Sequence, residues 1–229
     1  MATTGLYTFN PSLGDLTIQA FQMCGVRPTA LTQEHMQSAL MAANLTNSEW
    51  AADGVNLWEV QAITVPLVQG TQTYSLSSNV VAILDLFITV GSGTTATDRY
   101  ILPISRTEYA SYANKLSQGF PTTYWHDRLL SPTLTFWPVP DGNETSFTYY
   151  ALQQLQNSAL ANGSQVDIPM YYQWAYCLAL AYRISFVWAP ERTAQLGAVA
   201  DVAFQKASNR NIEKGAVYIA PMLQSYWKI

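Results

Sequence analysis

The sequence has little charge of either sign. Lys, Arg, Asp and Glu together make up 11% of the 229 residues, whereas about 25% is usual for a globular domain. Such a chain has few charged side chains to cover the surface of a free monomer, so we expect part of its surface to be buried against other subunits. With a net charge of −4, the chain also lacks the excess of basic residues that is typical of a free-standing nucleic-acid-binding protein.

Cysteine and long apolar runs are scarce as well. Cys24 and Cys177 are too few for a disulfide framework, and both lie in apolar helical patterns, so we expect two buried thiols. The N-terminus lacks the cationic and apolar leader of a signal peptide. No apolar run approaches the roughly 18 residues of a membrane span. These features predict a cytosolic product without membrane contact.

Motifs for catalysis or cofactor binding are missing too. His35 and His126 lie far apart in different predicted elements, and neither has the spacing of a metal ligand. The two cysteines have no neighbouring base, and no glycine-rich phosphate loop occurs. The sequence therefore predicts neither an enzyme nor a cofactor. A carboxylate pair for glycoside cleavage stays open, but no pair stands out.

Helical patterns occur near both ends of the chain. Residues 1–11 are predicted to form an arm. Ser12 and Asp15 then predict a capped first helix, and a second helix is predicted from near Thr32 to Asp53. Late in the chain, residues 170–187 are apolar nearly all round, which is typical of a helix at the centre of a bundle or interface.

The boundaries of the late helices are predicted from their flanking residues. Asp167 is predicted as the N-cap of the helix at residues 170–187, with Pro169 in its first turn. Pro190 ends that helix, and a more amphipathic helix is predicted over residues 191–214.

Between these parts, residues 57–155 are rich in strand-forming residues. They predict six or seven strands in mostly local order, with one short helix at residues 106–115 that Ser105 and Glu108 would cap. Asp141 and Gly142 predict a hairpin between strands at residues 133–137 and 146–153.

The whole pattern predicts an α+β fold. We expect a four-helix bundle formed by the N- and C-terminal helices, an inserted antiparallel β-sandwich or barrel-like domain, and an extended C-terminal arm. The predicted parts are the arm and helical hairpin at residues 1–56, the β domain at 57–155, the C-terminal helices at 156–215 and the docking arm at 216–229. The last part is apolar without periodicity, unlike a disordered tail.

Three segments resemble head-to-tail adaptor proteins of tailed bacteriophages, in particular the packaged-DNA-stabilising adaptors of short-tailed phages. They are Pro103-Ile-Ser-Arg-Thr-Glu-Tyr109, Gly119-Phe-Pro-Thr-Thr-Tyr124 and Trp137-Pro-Val-Pro-Asp141. The similarity extends from about Leu13 to Lys214, and its most specific part lies between Gly119 and Asp141.

The resemblance implies a structural virion protein. Such adaptors form a ring, usually of twelve copies, beneath the portal. The ring extends the DNA channel, helps to retain packaged DNA and presents a platform to downstream tail or nozzle proteins. It implies location in the neck of the virion after assembly in the host cytoplasm, with DNA passing through without sequence specificity.

The resemblance also suggests roles for particular residues. The portal-docking arm would use Tyr218, Ile219, Pro221, Met222, Leu223, Tyr226 and Trp227. An acidic portal surface or the DNA channel would face Arg192, Lys206, Arg210 and Lys214, for which a solvated helix face is the alternative. Contacts with a neighbouring subunit or tail protein would use Phe120, Tyr124, Trp125 and Trp137.

The aromatic residues leave a second class of function open. Fourteen Tyr and seven Trp could make the β domain a binding module for carbohydrate or another tail or receptor component. Trp125 and Trp137 would then supply stacking faces. The other interpretation is that these rings fill cores and subunit contacts.

Overall fold

A computed structural model describes residues 9–54, 57–160 and 163–211. Over this part of the chain the fold is α+β, as the sequence predicts, with five α-helices and eight strands. The helices are α1 (Leu13–Met23), α2 (Gln33–Ala52), α3 (Arg106–Ser111), α4 (Met170–Trp188) and α5 (Thr193–Ser208). The strands are β1 (Val60–Pro66), β2 (Thr73–Ser75), β3 (Val80–Val90), β4 (Thr97–Tyr100), β5 (Leu102–Pro103), β6 (Thr123–His126), β7 (Thr133–Trp137) and β8 (Glu144–Gln153).

The first two helices begin where the sequence predicts. The Ser12 hydroxyl accepts a hydrogen bond from the Asp15 N–H at 3.2 Å, and the Asp15 carboxylate accepts one from the Ser12 N–H at 3.0 Å. Helix α2 has a related cap in which His35 takes the carboxylate's place, because its Nδ1 accepts from the Thr32 N–H at 3.2 Å. Each cap satisfies backbone donors that the first turn of a helix leaves free.

The predicted N-cap of α4 is wrong. Pro169 has an extended ψ of 150° and is itself the N-cap residue, so the helix begins at Met170. Asp167 therefore lies too early to reach the free N–H groups of the first turn. Its carboxylate instead accepts a hydrogen bond from the Gln156 N–H at 3.3 Å.

Helix α4 is the central element of the helical part, and it packs against α1, α2 and α5. Its buried side carries Tyr172, Tyr176 and Leu180. Trp50 of α2 wedges between the other helices, with its ring centroid 5.5 Å from that of Tyr172 and 5.3 Å from that of Phe204. Helices from both ends of the chain therefore share one hydrophobic core.

The strands form two four-stranded sheets, in the orders β1-β8-β3-β4 and β2-β7-β6-β5. All pairs are antiparallel except β5 with β6, which are parallel. One hydrophobic core contains side chains from both sheets, and Phe136 of β7 meets Phe147 of β8 with 4.9 Å between ring centroids. Asp85 is exposed on β3, next to an irregularity in the pairing of Ile83 and Leu86.

The predicted hairpin between β7 and β8 is wrong. These strands are consecutive in the chain but belong to different sheets: β7 pairs with β2 and β6, and β8 pairs with β1 and β3. Pro138 and Pro140 have no N–H to continue a ladder, so β7 ends at Trp137. The turn at Gly142, with φ of 96°, then carries the chain to the other sheet.

The chain also passes from one sheet to the other between β4 and β5. These strands belong to different sheets, and the buried Ile101 lies between them. Other differences are at element ends. Residues 57–59 form a 3-10 turn before β1, α3 ends at Ser111, where Lys115 Nζ donates to the Tyr112 carbonyl at 3.0 Å, and α5 spans Thr193–Ser208 rather than residues 191–214.

Candidate functional site

Helix α3 lies on the aromatic side chains of the β6–β7 sheet. The Tyr109 ring stacks on Trp125 with centroids 5.3 Å apart, and the Tyr112 ring stacks on Trp137 at 4.0 Å. Gln72 reinforces the contact, since its Nε2 donates to the Tyr109 hydroxyl at 3.0 Å. Both tyrosines of α3 therefore pack on this sheet.

The four aromatic residues predicted to contact a partner do not form one exposed surface. Tyr124 is only 2% exposed, so its assignment to a surface contact is wrong. Burial raises the pKa of its hydroxyl to about 12. Phe120 is half-buried beneath the Arg99 guanidinium, which lies 5.0 Å from its ring centroid. Trp125 and Trp137 are half-buried, and a tyrosine covers one face of each. A sugar would need an open face at these positions.

The loop between β6 and β7 exposes two leucines that the sequence reading missed. Leu130 is 97% exposed and Leu129 is 68% exposed. The base of the loop is fixed, because the Asp127 carboxylate accepts hydrogen bonds from the Thr133 hydroxyl, at 2.7 Å, and from the Thr133 N–H. The sequence signal for this feature is two consecutive leucines between two strands. They place an apolar loop tip in solvent.

The predicted basic residues have different environments. Arg192 Nη1 donates to the Met23 carbonyl at 3.0 Å, and its Nε lies 3.9 Å from the Glu191 carboxylate. Lys206 and Arg210 are exposed and form no ion pair with any other described residue. Arg192 is thus held against α1, whereas the other two are available to a partner.

An apolar cleft follows the exposed side of α4 between α1 and α5. It consists of three adjoining cavities of about 660, 460 and 240 Å³, and Trp174 lines all three. We call it the Trp174 cleft. Its apolar lining includes Phe9, Leu16, Met23, Met170, Trp174, Leu178, Leu196, Val199 and Val202. Cys177 lies at its floor, where burial raises the pKa of the thiol to about 11.

The exposure of the cleft's side chains is high for residues of this type. Met170 is 73% exposed, Trp174 59% and Val202 51%. Contiguous exposed apolar surface of this kind marks an interaction site in a soluble protein. The sequence predicts that α4 belongs at the centre of a bundle or interface. Its buried side lies at the centre of the helical core, and its exposed side lines the Trp174 cleft.

Cations lie along the α5 side of the cleft. The charged residues that line the two cavities between α4 and α5, among those that the structure describes, are Arg192, Lys206 and Arg210, and none of them is acidic. Asp15 lines the cavity on the α1 side, where its carboxylate is engaged by Ser12. A partner surface with apolar side chains and carboxylates would complement this side.

The helical and β parts meet at Trp58, Glu59 and Asp167. The Trp58 indole N–H donates to the Asp167 carbonyl at 3.2 Å, and its ring lies 5.1 Å from Tyr172. Burial, and secondarily the Asp167 carboxylate, raise the pKa of Glu59 to about 7. This junction therefore changes charge near neutral pH.

The predicted docking arm lies outside the described residues. This applies to Tyr218, Ile219, Pro221, Met222, Leu223, Tyr226 and Trp227, and also to Lys214. In the part that the structure describes, no group of His, Cys, Asp and Glu is arranged to hold a metal ion, and no helix has both the length and the hydropathy to cross a bilayer.

The chain matches a known protein family. A protein-family model described as SU10 adaptor protein matches residues 14–221. The matched range includes both sheets, the helices at either end and the residues that line the Trp174 cleft from Asp15 onward. No curated protein matches the chain.

Proposed function

Since the chain belongs to the SU10 adaptor protein family, we propose that it forms a ring beneath the portal of a tailed bacteriophage. The ring, of twelve copies by the resemblance, joins capsid to tail. It extends the DNA channel and helps to retain the packaged DNA. Its role is structural rather than enzymatic, and its place is the neck of the virion after assembly in the host cytoplasm.

The observation that carries this proposal is the Trp174 cleft. A protein with 11% charged residues and a tryptophan 59% exposed in an apolar cleft gains stability when another protein surface removes that cleft from water. Association into a ring does this for every copy. The helices of both chain ends form a four-helix bundle that builds the ring, and the two sheets form a sandwich-like domain inserted into it.

Each of the four parts of the chain has its own role in the proposed adaptor. Residues 1–56 and 156–215 build the ring, residues 57–155 meet the neighbouring subunit or a tail protein, and residues 216–229 grip the portal. The gripping residues are Tyr218, Ile219, Pro221, Met222, Leu223, Tyr226 and Trp227, in keeping with the enrichment of aromatic residues in interface hot spots. The half-buried Phe120, Trp125 and Trp137 support a partner contact of the β part.

Exposed cations would act collectively in a ring. Arg210 is exposed, and with Lys214 it would repeat around the ring as a band of positive charge. Such a band attracts the DNA backbone or an acidic portal surface, and its effect weakens with salt. A carbohydrate-binding β domain has less support, because tyrosines cover one face of Trp125 and of Trp137.

The decisive experiment mixes the purified protein with the portal protein of the same phage. Mass measurement and electron microscopy of the mixture should show a ring of this chain on the portal. A variant that lacks residues 216–229 should keep the circular dichroism of the parent and lose portal binding. A chain that stays monomeric and does not bind the portal at any concentration tested contradicts the proposal.

A further inference from the structure

We propose that the Trp174 cleft of one copy binds the exposed side of α2 of a second copy, so that copies associate head to tail. This inference rests on the proposed function, because it names the contact through which the ring forms.

Helix α2 has an apolar side that nothing in the described chain covers. Ala39, Ala43 and Trp50 face the helical core, whereas Met41 is 63% exposed and Leu45 is 52% exposed. These two are four residues apart and therefore adjacent on the helix surface. No residue of α2 lines the three cavities of the Trp174 cleft. The two surfaces are separate, so one copy can use both at once.

Two separate complementary surfaces have a consequence for assembly. A contact that joins unlike patches propagates from copy to copy, and it closes into a ring when the rotation between copies allows. A contact that joins like patches stops at a dimer. The pairing of α2 with the cleft therefore suits a ring, whereas the pairing of one cleft with another cleft does not.

Charge favours α2 as the occupant. The charged side chains of α2 are Glu34 and Glu49, and the helix contains no Lys or Arg. Glu49 already forms an ion pair with Arg183 of α4, so the exposed Glu34 is the carboxylate that a second copy can engage. The α5 side of the cleft has Arg192, Lys206 and Arg210 along its rim. Among the neighbouring acids on that side, Glu191 lies by Arg192 and Asp201 is exposed on α5. The charges that line the cleft therefore complement those of α2.

The spacing of the residues agrees with one orientation. Glu34 and Met41 are 7 positions apart, about 10 Å along a helix at 1.5 Å per residue. Val199 and Lys206 are also 7 positions apart, about 10 Å by the same rise. With α2 antiparallel to α5 of the neighbour, Glu34 therefore lies by Lys206 when Met41 lies by Val199.

The same orientation places the apolar residues together. Met41 then contacts Val199, which is 46% exposed and lines two of the three cavities. Leu45 contacts the cleft one turn further toward Arg192.

Cysteine cross-linking tests this contact directly. The full chain with Met41→Cys and Val199→Cys, oxidised at high protein concentration, should give a ladder of covalent dimers, trimers and larger species. The native thiols of Cys24 and Cys177 are buried and should not compete. The matched control is Met41→Cys with Leu130→Cys, since Leu130 is exposed at the loop tip, and it should give no ladder.

Charge reversal tests the orientation. Glu34→Lys alone and Lys206→Glu alone should each weaken self-association about tenfold or more. An equimolar mixture of the two variants should recover it, because in an alternating assembly a reversed α2 meets a reversed cleft at one contact and a native α2 meets a native cleft at the next. Circular dichroism of each variant excludes unfolding as the cause of the loss.

Each other outcome overturns the inference. It is wrong if Val199→Cys alone gives covalent dimers that do not grow, if the control pair gives an equal ladder, or if no cross-link forms up to millimolar protein or on the portal. Portal binding by the unmodified chain is measured separately. Portal binding without the cross-link would exclude this contact and leave the adaptor function in place. A ladder of cross-linked species without portal binding would support this contact and contradict the adaptor function.

Discussion

Arg192 and Met23 join the two ends of the chain, since the Arg192 guanidinium donates from Nη1 to the Met23 carbonyl oxygen at 3.0 Å. Met23 is the last residue of α1, where carbonyl groups lack partners within the helix and the helix dipole is negative. Gly25 allows the approach, because a Cβ at that position would lie 3.1 Å from the guanidinium. A residue that the sequence suggests for channel electrostatics thus has a structural role.

Loss of this hydrogen bond should lower stability. Arg192→Ala removes a charge-assisted bond at a partly exposed site, which we expect to cost about 1 kcal/mol. For a chain of this size the melting temperature should fall by roughly 2–4 °C. Thermal unfolding followed by circular dichroism measures the change. Arg210→Ala, the control, lies in the exposed part of the cleft rim and should leave the melting temperature nearly unchanged. An equal effect of the two substitutions would contradict the structural role.

The stacked pair of Tyr112 and Trp137 should contribute energy beyond the area that it buries. Their centroids are 4.0 Å apart with an angle of 22° between the rings. A double-mutant cycle with Tyr112→Ala and Trp137→Ala should give a coupling energy of about 0.5–1.5 kcal/mol, measured by urea unfolding. The pair Tyr112 and Trp125 provides the control, since Trp125 stacks on Tyr109 instead. A carbohydrate-binding role predicts a different result, in which Tyr112→Ala uncovers the indole and creates or strengthens glycan binding.

Stability should depend on pH through Glu59. Burial and the Asp167 carboxylate raise its pKa to about 7 from a model-peptide value near 4.5. The folded chain therefore binds a proton more tightly than the unfolded chain, so stability is greatest below the unfolded pKa and declines as pH rises toward the folded pKa. Glu59→Gln keeps the neutral form at every pH. It should raise the melting temperature at pH 8 and change it little at pH 4.

A matched substitution distinguishes this effect from a general gain of helix or loop stability. Glu34→Gln removes a carboxylate from the exposed first turn of α2, outside the junction, and should not produce a gain that appears only at high pH. If Glu59→Gln raises the melting temperature equally at pH 4 and pH 8, titration of Glu59 is not the cause.

The elements that the sequence predicts well are those whose signals are local. The cap of α1 follows from Ser12 and Asp15, and the bounds of α2 follow from Thr32 and Asp53, because these residues satisfy the helix ends by contacts within one turn. The hairpin at Asp141 was wrong for the opposite reason. A turn sequence specifies that the chain reverses, but the choice between two sheets depends on contacts with distant strands.

The site was harder to predict than the fold. A helix that is apolar nearly all round, such as α4, has no hydrophobic periodicity that would distinguish its buried side from its exposed side. The sequence therefore could not decide whether Trp174 lies in the core or at an interface. Tyr124 was misassigned because alternation in a short strand does not reveal which face the second sheet covers. The hydrogen bond from Arg192 to Met23 could not be predicted, because the two residues are remote in sequence.

Trp174 and Trp50 should respond in opposite ways to the same substitution. Trp50 is 5% exposed and contacts three other aromatic rings, so Trp50→Ala should cost about 3–5 kcal/mol of stability. Trp174 is 59% exposed, so Trp174→Ala should change the melting temperature little. It should instead weaken self-association about tenfold or more, since a tryptophan at the centre of an interface is a typical hot spot. Sedimentation over a range of concentrations measures the association, and thermal unfolding of dilute protein measures the stability. A Trp174→Ala chain that associates like the parent would show that the cleft is not the subunit contact, because truncating this side chain removes the one residue that all three cavities share.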